Sequence, residues 1–323
     1  MKDIYDILCE WKQRRGERRA LATLVRAEGS SYRRPGARML ICEDGKMVGS
    51  LSAGCLEEEV ALRARDVLQT GKSVLMSFDT RKRFGCAGKI DIFIERAAEE
   101  FFVTLAENLD ARRSCVAVTV FDGNKSGTQI LEGGAPATPF NPQSRGSSTL
   151  QLSASVLMQQ IPPRIRLVIM GEGPDNAPLH LLANSLGWET LEIAATTELP
   201  FVPDEWTAAI IKSHNYGRDF AALQTLLPLE LRYVGLIGPR RRRNQLLGDL
   251  LDLGVTINAG FFAPAGLDLG SETPAEIALA IVSEIQRVFT GGSGESLRER
   301  KRSIHANATP VIPSEVEESR VSS

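Results

Sequence analysis

The sequence predicts an α/β protein of two domains, the second built on a doubly wound parallel sheet. Three observations carry this. The chain has 323 residues, enough for two domains that each bury a core. Its second half alternates short apolar strands with amphipathic helices, the pattern of a parallel sheet covered on both faces. The first of those strands, Arg166-Leu167-Val168-Ile169-Met170, runs into Gly171-Glu172-Gly173-Pro174-Asp175-Asn176 and then a helix, the entry of a Rossmann-like unit. The expected organisation is an α/β domain over 1–122, a flexible linker or insertion over 123–163, the Rossmann-like domain over 164–290 and a disordered tail over 291–323. The linker is placed where Gly, Ser, Thr, Pro, Asn and Gln replace apolar residues.

Composition narrows the function classes. A net charge of -2 gives no support to nucleic-acid or anionic-membrane binding. No apolar run approaches the ~18 residues that span a bilayer. The start, Met1 to Leu8, has no hydrophobic signal core, so a cytoplasmic protein is expected. Five cysteines, an odd number, form no secreted disulfide framework. There is no CxxC pair, and His180, His214 and His305 stand apart, which leaves a structural zinc site unsupported.

Within the first domain, Ile4, Ile7, Leu8 and Trp11 share one helical face, and Gly16 ends that helix. Leu21 to Ala27 and Arg38 to Cys42 read as strands, joined by a loop with Ser30, Ser31, Arg33 and Arg34 that can offer donors to an anion. Asp44-Gly45 is a hairpin signal before a short strand at Met47-Val48. Gly49-Ser50-Leu51-Ser52-Ala53-Gly54-Cys55 then opens a helix whose face holds Leu56, Val60, Ala64 and Val67. A cysteine at a helix start lies in the positive end of the dipole, which suits a soft ligand or nucleophile; a buried structural thiol is the alternative. After a strand at Val74 to Phe78, Cys86 lies in a similar small-residue setting beside Arg81, Lys82, Arg83 and Lys89. Strands at Ile90 to Glu95 and Cys115 to Phe121 flank a helix over Phe101 to Leu109.

In the second domain the dinucleotide fingerprint is altered. Asn176 holds the third glycine position, Glu172 puts a negative charge in the turn, and the second strand ends in Ala194-Ala195-Thr196 where an acid for ribose hydroxyls is usual. A better anion signal follows the fourth strand, where Gly238-Pro239 leads into Arg240-Arg241-Arg242-Arg243 at a helix start. Cations there oppose the macrodipole by about 0.3–1 kcal/mol each, and a bound phosphate reverses the sign. A solvated basic face paired with Asp249 or Asp252 is the alternative. Thr273, Pro274 and Glu276 form a capping box before a helix with Ile277, Ile281, Ile285 and Val288 inward.

These motifs in order resemble one family. Gly29 to Ala37, Gly54-Cys55-Leu56-Glu57 and Gly85-Cys86-Ala87-Gly88 are similar to the N-terminal domain of the XdhC/CoxI family. Gly171 to Asp175, Tyr233 to Gly238 and the stretch from Pro264 to Glu284 look like its Rossmann domain. The chain departs from the family pattern at Ala87, at Ala194 to Thr196 and at Ala280.

The resemblance implies a molybdenum cofactor chaperone that binds molybdopterin, or a dinucleotide form of it, and supports its sulfuration by a cysteine desulfurase. The cofactor then passes to a xanthine dehydrogenase-type molybdoenzyme, and a homodimer is implied too. Taken with the residue reading, the expected cofactor contacts are Cys55, Cys86, Ser30, Arg33, Gly54, Glu57, Gly171, Gly173, Gly238, Arg240 and Arg241, with Cys55 toward the molybdenum. The ligand is expected between the two halves. No base–nucleophile pair stands out, so an accessory role is expected before catalysis. An NAD(P)-dependent oxidoreductase and a non-catalytic interaction module are the other readings.

Overall fold

The computed structural model describes residues 2–29, 31–52, 54–79, 88–123, 125–131, 150–152, 155–194 and 199–299. Two compact units divide between Pro162 and Pro163. The first opens with helix α1 (Lys2–Gln13), then strands β1 (Arg19–Gly29), β2 (Arg38–Cys42) and β3 (Met47–Gly49). Helix α2 (Glu57–Thr70), strands β4 (Val74–Asp79) and β5 (Gly88–Arg96) and helix α3 (Glu99–Asp110) follow. Strands β6 (Cys115–Val120), β7 (Gly127–Ile130), β8 (Leu150–Leu152) and β9 (Val156–Ile161) complete it.

An antiparallel sheet in the order β3-β2-β1-β5-β4 forms the centre of this unit. Side chains alternate across it with period two, as the pleat requires. Ala20, Ala22, Met39 and Ile41 pack on one face with Val60, Ala64 and Val67 of α2. Leu21, Leu40 and Cys42 pack on the other with Trp11 of α1 and Phe102 and Leu105 of α3. Gly71, left-handed at φ 71°, closes α2.

A second antiparallel sheet runs β7-β6-β9-β8, and Phe121 and Leu157 meet Val25 and Phe93 of the first. This differs from the linker expected over 123–163, because β7, β8 and β9 lie within that stretch. Ile130, Leu157 and Ile161 are buried at 9%, 0% and 2% exposure, so the flanks carry enough apolar side chains to complete a sheet around β6. The Gly- and Pro-rich part that prompts the expectation, 132–149, lies outside the described residues. The expected tail lies mostly outside them too, from residue 300 onward, after a 3₁₀ turn at Leu297–Glu299.

The second unit runs β10 (Arg166–Met170), α4 (Ala177–Ser185), β11 (Glu189–Ile193), β12 (Thr207–Ile211), α5 (Tyr216–Leu226), β13 (Tyr233–Leu236), α6 (Arg240–Asp252), β14 (Phe261–Phe262) and α7 (Pro274–Thr290). Its sheet is parallel, in the order β11-β10-β12-β13-β14. Leu167 and Ile169 face α4 and α7 through Leu179, Ala183, Ile281 and Ile285. Val168 and Met170 face α5 and α6 through Ala222, Leu223, Leu246 and Leu250. Burial on both faces explains why these strands read as continuous apolar runs. The capping box forms, with Thr273 and Glu276 exchanging side-chain and backbone hydrogen bonds. The strand order reverses between β10 and β12, so ligands of this architecture lie at the carboxyl ends of those two strands.

Candidate functional site

The register of the first sheet gathers three of the predicted loops at one end. Gly29 at the end of β1 opposes Gly88 at the start of β5, and Asp79 at the end of β4 opposes Lys89. Gly49 at the end of β3 opposes Met39 near the start of β2. The loop after β1, the loop after β3 and the segment between β4 and β5 therefore leave from the same side. Ser30 and Cys86 lie outside the described residues.

The loop from Ser50 to Leu56 is shaped by one carboxylate. Glu57 accepts from the N–H groups of Leu51 (3.1 Å), Ser52 (2.8 Å) and Leu56 (3.1 Å), and from the hydroxyls of Ser50 (3.2 Å) and Ser52 (2.6 Å). Burial raises a carboxyl's pKa, but the Ser52 hydroxyl and N–H and the Leu56 N–H outweigh it and hold Glu57 down at about 2. Expected as a ligand contact, Glu57 spends its oxygens on its own loop. Cys55 sits exposed on that loop, two residues before α2, and its N–H donates to Ser52 Oγ at 3.1 Å. The exposure removes the alternative of a buried structural thiol. Gly54 beside it has φ +102° and open space where a Cβ would stand.

Glu57 gives this loop a pH signature. A carboxylate with a folded pKa of about 2 against an ordinary 4.5 stabilises the fold at pH above 4.5 and loses that contribution as pH falls from 4.5 to 2. The shift corresponds to about 3 kcal/mol, which solvent screening at this half-buried group reduces to about 1–2 kcal/mol. Melting temperatures across that window should fall more steeply for the parent than for Glu57→Gln, which lacks the titrating group. Equal slopes would remove Glu57 from this role.

Arginines of the neighbouring loop are committed elsewhere. Arg33 binds Asp3 of α1. Arg38, which rejoins the loop to β2, is fully buried and donates to Gly36 O at 3.2 Å and to Gln159 of β9. Burial brings its pKa down to about 10.

In the second unit the glycine turn is closed around a buried lysine. Lys212, directly after β12 and 1% exposed, donates to Asn176 Oδ1 and pairs with Asp175 Oδ1 at 2.6 Å. Asn176 in turn donates Nδ2 to Gly171 O at 2.9 Å. Gly171 has φ +136°, and a Cβ there would stand 2.8 Å from the Lys212 carbonyl. A Cβ on Gly173 would stand 2.5 Å from Asp175 Oδ1 and 3.8 Å from Lys212 Nζ, so the Asp175 carboxylate occupies the space directly over Gly173. Burial works to raise Asp175, and the hydrogen bond and charge of Lys212 more than reverse it, so its pKa is lowered.

Asn176, which in the sequence reads as damage to a fingerprint, is thus a working part of the turn. Lys212 is a candidate site residue that the sequence reading misses. Its signal is a charged residue continuing a fully buried strand, Thr207 to Ile211, at the carboxyl end of the parallel sheet, where ligands of this architecture lie. Glu192, one residue inside the end of β11, is held by Asn176 and by His180, whose Nε2 lies 3.1 Å away, and these lower its pKa. Ala194 at that strand end carries no acid, and 195–198 lie outside the described residues.

At the tip of α6 the four arginines separate into two pairs. Arg242 binds Asp219 of α5, which is fully buried and also accepts from Ser213 N at 3.1 Å. Arg243 donates to Ala263 O at 2.9 Å. Arg240 and Arg241 are exposed, beside Gly238 at φ +156° and Pro239, which gives no side-chain cap. Asp249, weighed as their partner, accepts from Tyr216 instead. Among the described residues no group of three or more His, Cys, Asp or Glu could hold a metal ion.

Comparison with known proteins decides the family. Residues 12–79 match the XdhC and CoxI family and residues 167–285 the XdhC Rossmann domain. The chain belongs to the XdhC and CoxI family. A relative of this XdhC-family protein is a probable xanthine dehydrogenase subunit of Bacillus subtilis (strain 168), 31% identical over 312 residues, covering 83% of this chain and 92% of that one. The molybdenum cofactor insertion chaperone PaoD of Escherichia coli (strain K12) is 22% identical, covering 84% of each chain. The crystal structure of a xanthine dehydrogenase from Bacillus halodurans is similar with a TM-score of 0.72 and 26% identity, over 89% of this chain and 96% of that one. The XdhC match to the second half agrees with the parallel sheet described above.

Proposed function

We propose that this XdhC-family protein binds the molybdenum cofactor, supports its sulfuration and inserts it into a xanthine dehydrogenase-type hydroxylase. The names of its relatives support the cofactor and the client. The observation that carries the reading is the exposed thiol of Cys55, presented on a loop whose shape Glu57 maintains. When bound, the cofactor supplies a sulfur-ligated metal and a phosphate. Each unit by itself offers donors of a suitable kind: the first a soft thiol, and the second the exposed guanidinium groups of Arg240 and Arg241 beside Gly238. A dinucleotide form adds a second phosphate, to which two exposed arginines are also suited. Glu57 and Arg33 act through the scaffold, since their partners are internal.

A cysteine desulfurase as sulfur source, a homodimer and a cytoplasmic setting belong to the same proposal. Among the described residues no helix is long and apolar enough to cross a membrane. The nicotinamide reading has less support, because Ala194 offers no ribose acid and Glu192 is held by His180.

The test is Cys55→Ser in a host that makes the cofactor, with Cys9→Ser as control because Cys9 is also exposed. The expected result is at least a tenfold loss of bound molybdenum and of client activation for Cys55→Ser alone. Full cofactor content with full activation would reject the assignment.

A further inference from the structure

We propose that Asp175 is a built-in stand-in for the phosphate of the ligand, and that a phosphate-bearing ligand enters the second unit by replacing the Asp175 carboxylate on Lys212. In glycine turns of this architecture the second glycine exists so that a phosphate can approach the backbone. Here that place over Gly173 is filled by the chain's own carboxylate, 2.5 Å from where a Cβ would be. The carboxylate is held by Lys212 Nζ at 2.6 Å, an ammonium only 1% exposed at the carboxyl end of β12, where the strand order reverses.

Burying a lysine costs several kcal/mol unless it is paired, so the site is built for an anion whether or not a ligand is bound. Asp175 is the movable member. Its side chain is 39% exposed and stands on a three-residue 3₁₀ turn, whereas Lys212 and Asn176 are buried in the sheet end. Exchange of one anion for another keeps Lys212 neutralised throughout. It also moves a carboxylate out toward solvent, where Glu172 already stands. The turn therefore favours a doubly charged phosphate over a singly charged carboxylate, since only the former gains enough on Lys212 and the backbone N–H groups to offset the lost ion pair.

This deepens the cofactor reading, on which it rests only for the pterin as one of two sources of phosphate. The experiment is a titration of purified protein with AMP and, separately, with the phosphorylated fluorescent pterin obtained by oxidising molybdopterin. It is done on the parent, Asp175→Asn, Glu172→Gln and the double variant Asp175→Asn/Lys212→Met. Asp175→Asn should bind at least tenfold tighter than the parent, and the double variant should lose that gain. Tighter binding of the pterin assigns the phosphate to a pterin, and tighter binding of AMP to a nucleotide. Either supports the exchange, and neither depends on client activation.

The idea fails if folded Asp175→Asn binds both probes no better than the parent, or if Glu172→Gln gains as much, which would reflect general charge repulsion. Should Asp175→Asn not fold, inorganic pyrophosphate is titrated into the parent and amide resonances are followed. Shifts at Gly171, Gly173 and Asp175 support the exchange; shifts confined to Arg240 to Arg243 overturn it.

Discussion

Asp219→Ala is expected to destabilise the second unit by about 3–5 kcal/mol, the cost of leaving one member of a buried ion pair without its partner. Asp219 has no exposure, and it gathers the Arg242 guanidinium with the N–H and hydroxyl of Ser213. Its loss strands three donors at the junction of the β12 loop, α5 and α6. Arg242→Met in the same background should recover part of the loss, because removing both charges leaves neither uncompensated. The measurement is denaturant unfolding of the four members of this cycle in a Trp11→Phe background. Tryptophan emission then comes from Trp188 and Trp206, both in the second unit. Additive effects, with the double variant as unstable as the sum, would mean that Asp219 and Arg242 do not depend on each other.

Trp11→Ala should cost the first unit about 3–5 kcal/mol. Trp11 is wholly buried, stacks on Phe102 with ring centres 5.7 Å apart, and joins α1 to α3 and to Leu21 and Leu40 of the sheet. Trp11→Phe should cost less than about 1.5 kcal/mol. The indole Nε1 has no hydrogen-bond partner among the described residues, so its removal relieves an unmet donor while most of the apolar contact stays. Thermal unfolding of the two variants checks this. A phenylalanine variant as unstable as the alanine one would show that the full indole shape is needed.

The helix containing Trp11 is legible because its apolar residues repeat at helical spacing, and the parallel strands because both of their faces are buried. Local chemistry also reads true at the capping box of Thr273 and Glu276. What cannot be read depends on partners far along the chain. The four arginines of α6 look alike in sequence, yet one is consumed by an aspartate 23 positions away and another by a carbonyl 20 positions away. Lys212 escapes notice because a lysine after a strand is usually solvated, and only its pairing with Asp175 and Asn176 explains its burial. The strands β7 and β9 are hidden by the Gly- and Pro-rich stretch between their neighbours, which dominates any composition window drawn across it.

Glu57 makes the Cys55 loop preorganised. Five donors already converge on one carboxylate that stays ionised across the whole physiological range, so no proton is taken up and little backbone freedom is surrendered when something docks there. The hydrogen bonds that present the thiol therefore stay the same between mildly acidic and neutral pH. Under the role proposed above such rigidity favours release, because a loop that folds only around its ligand would hold on to it.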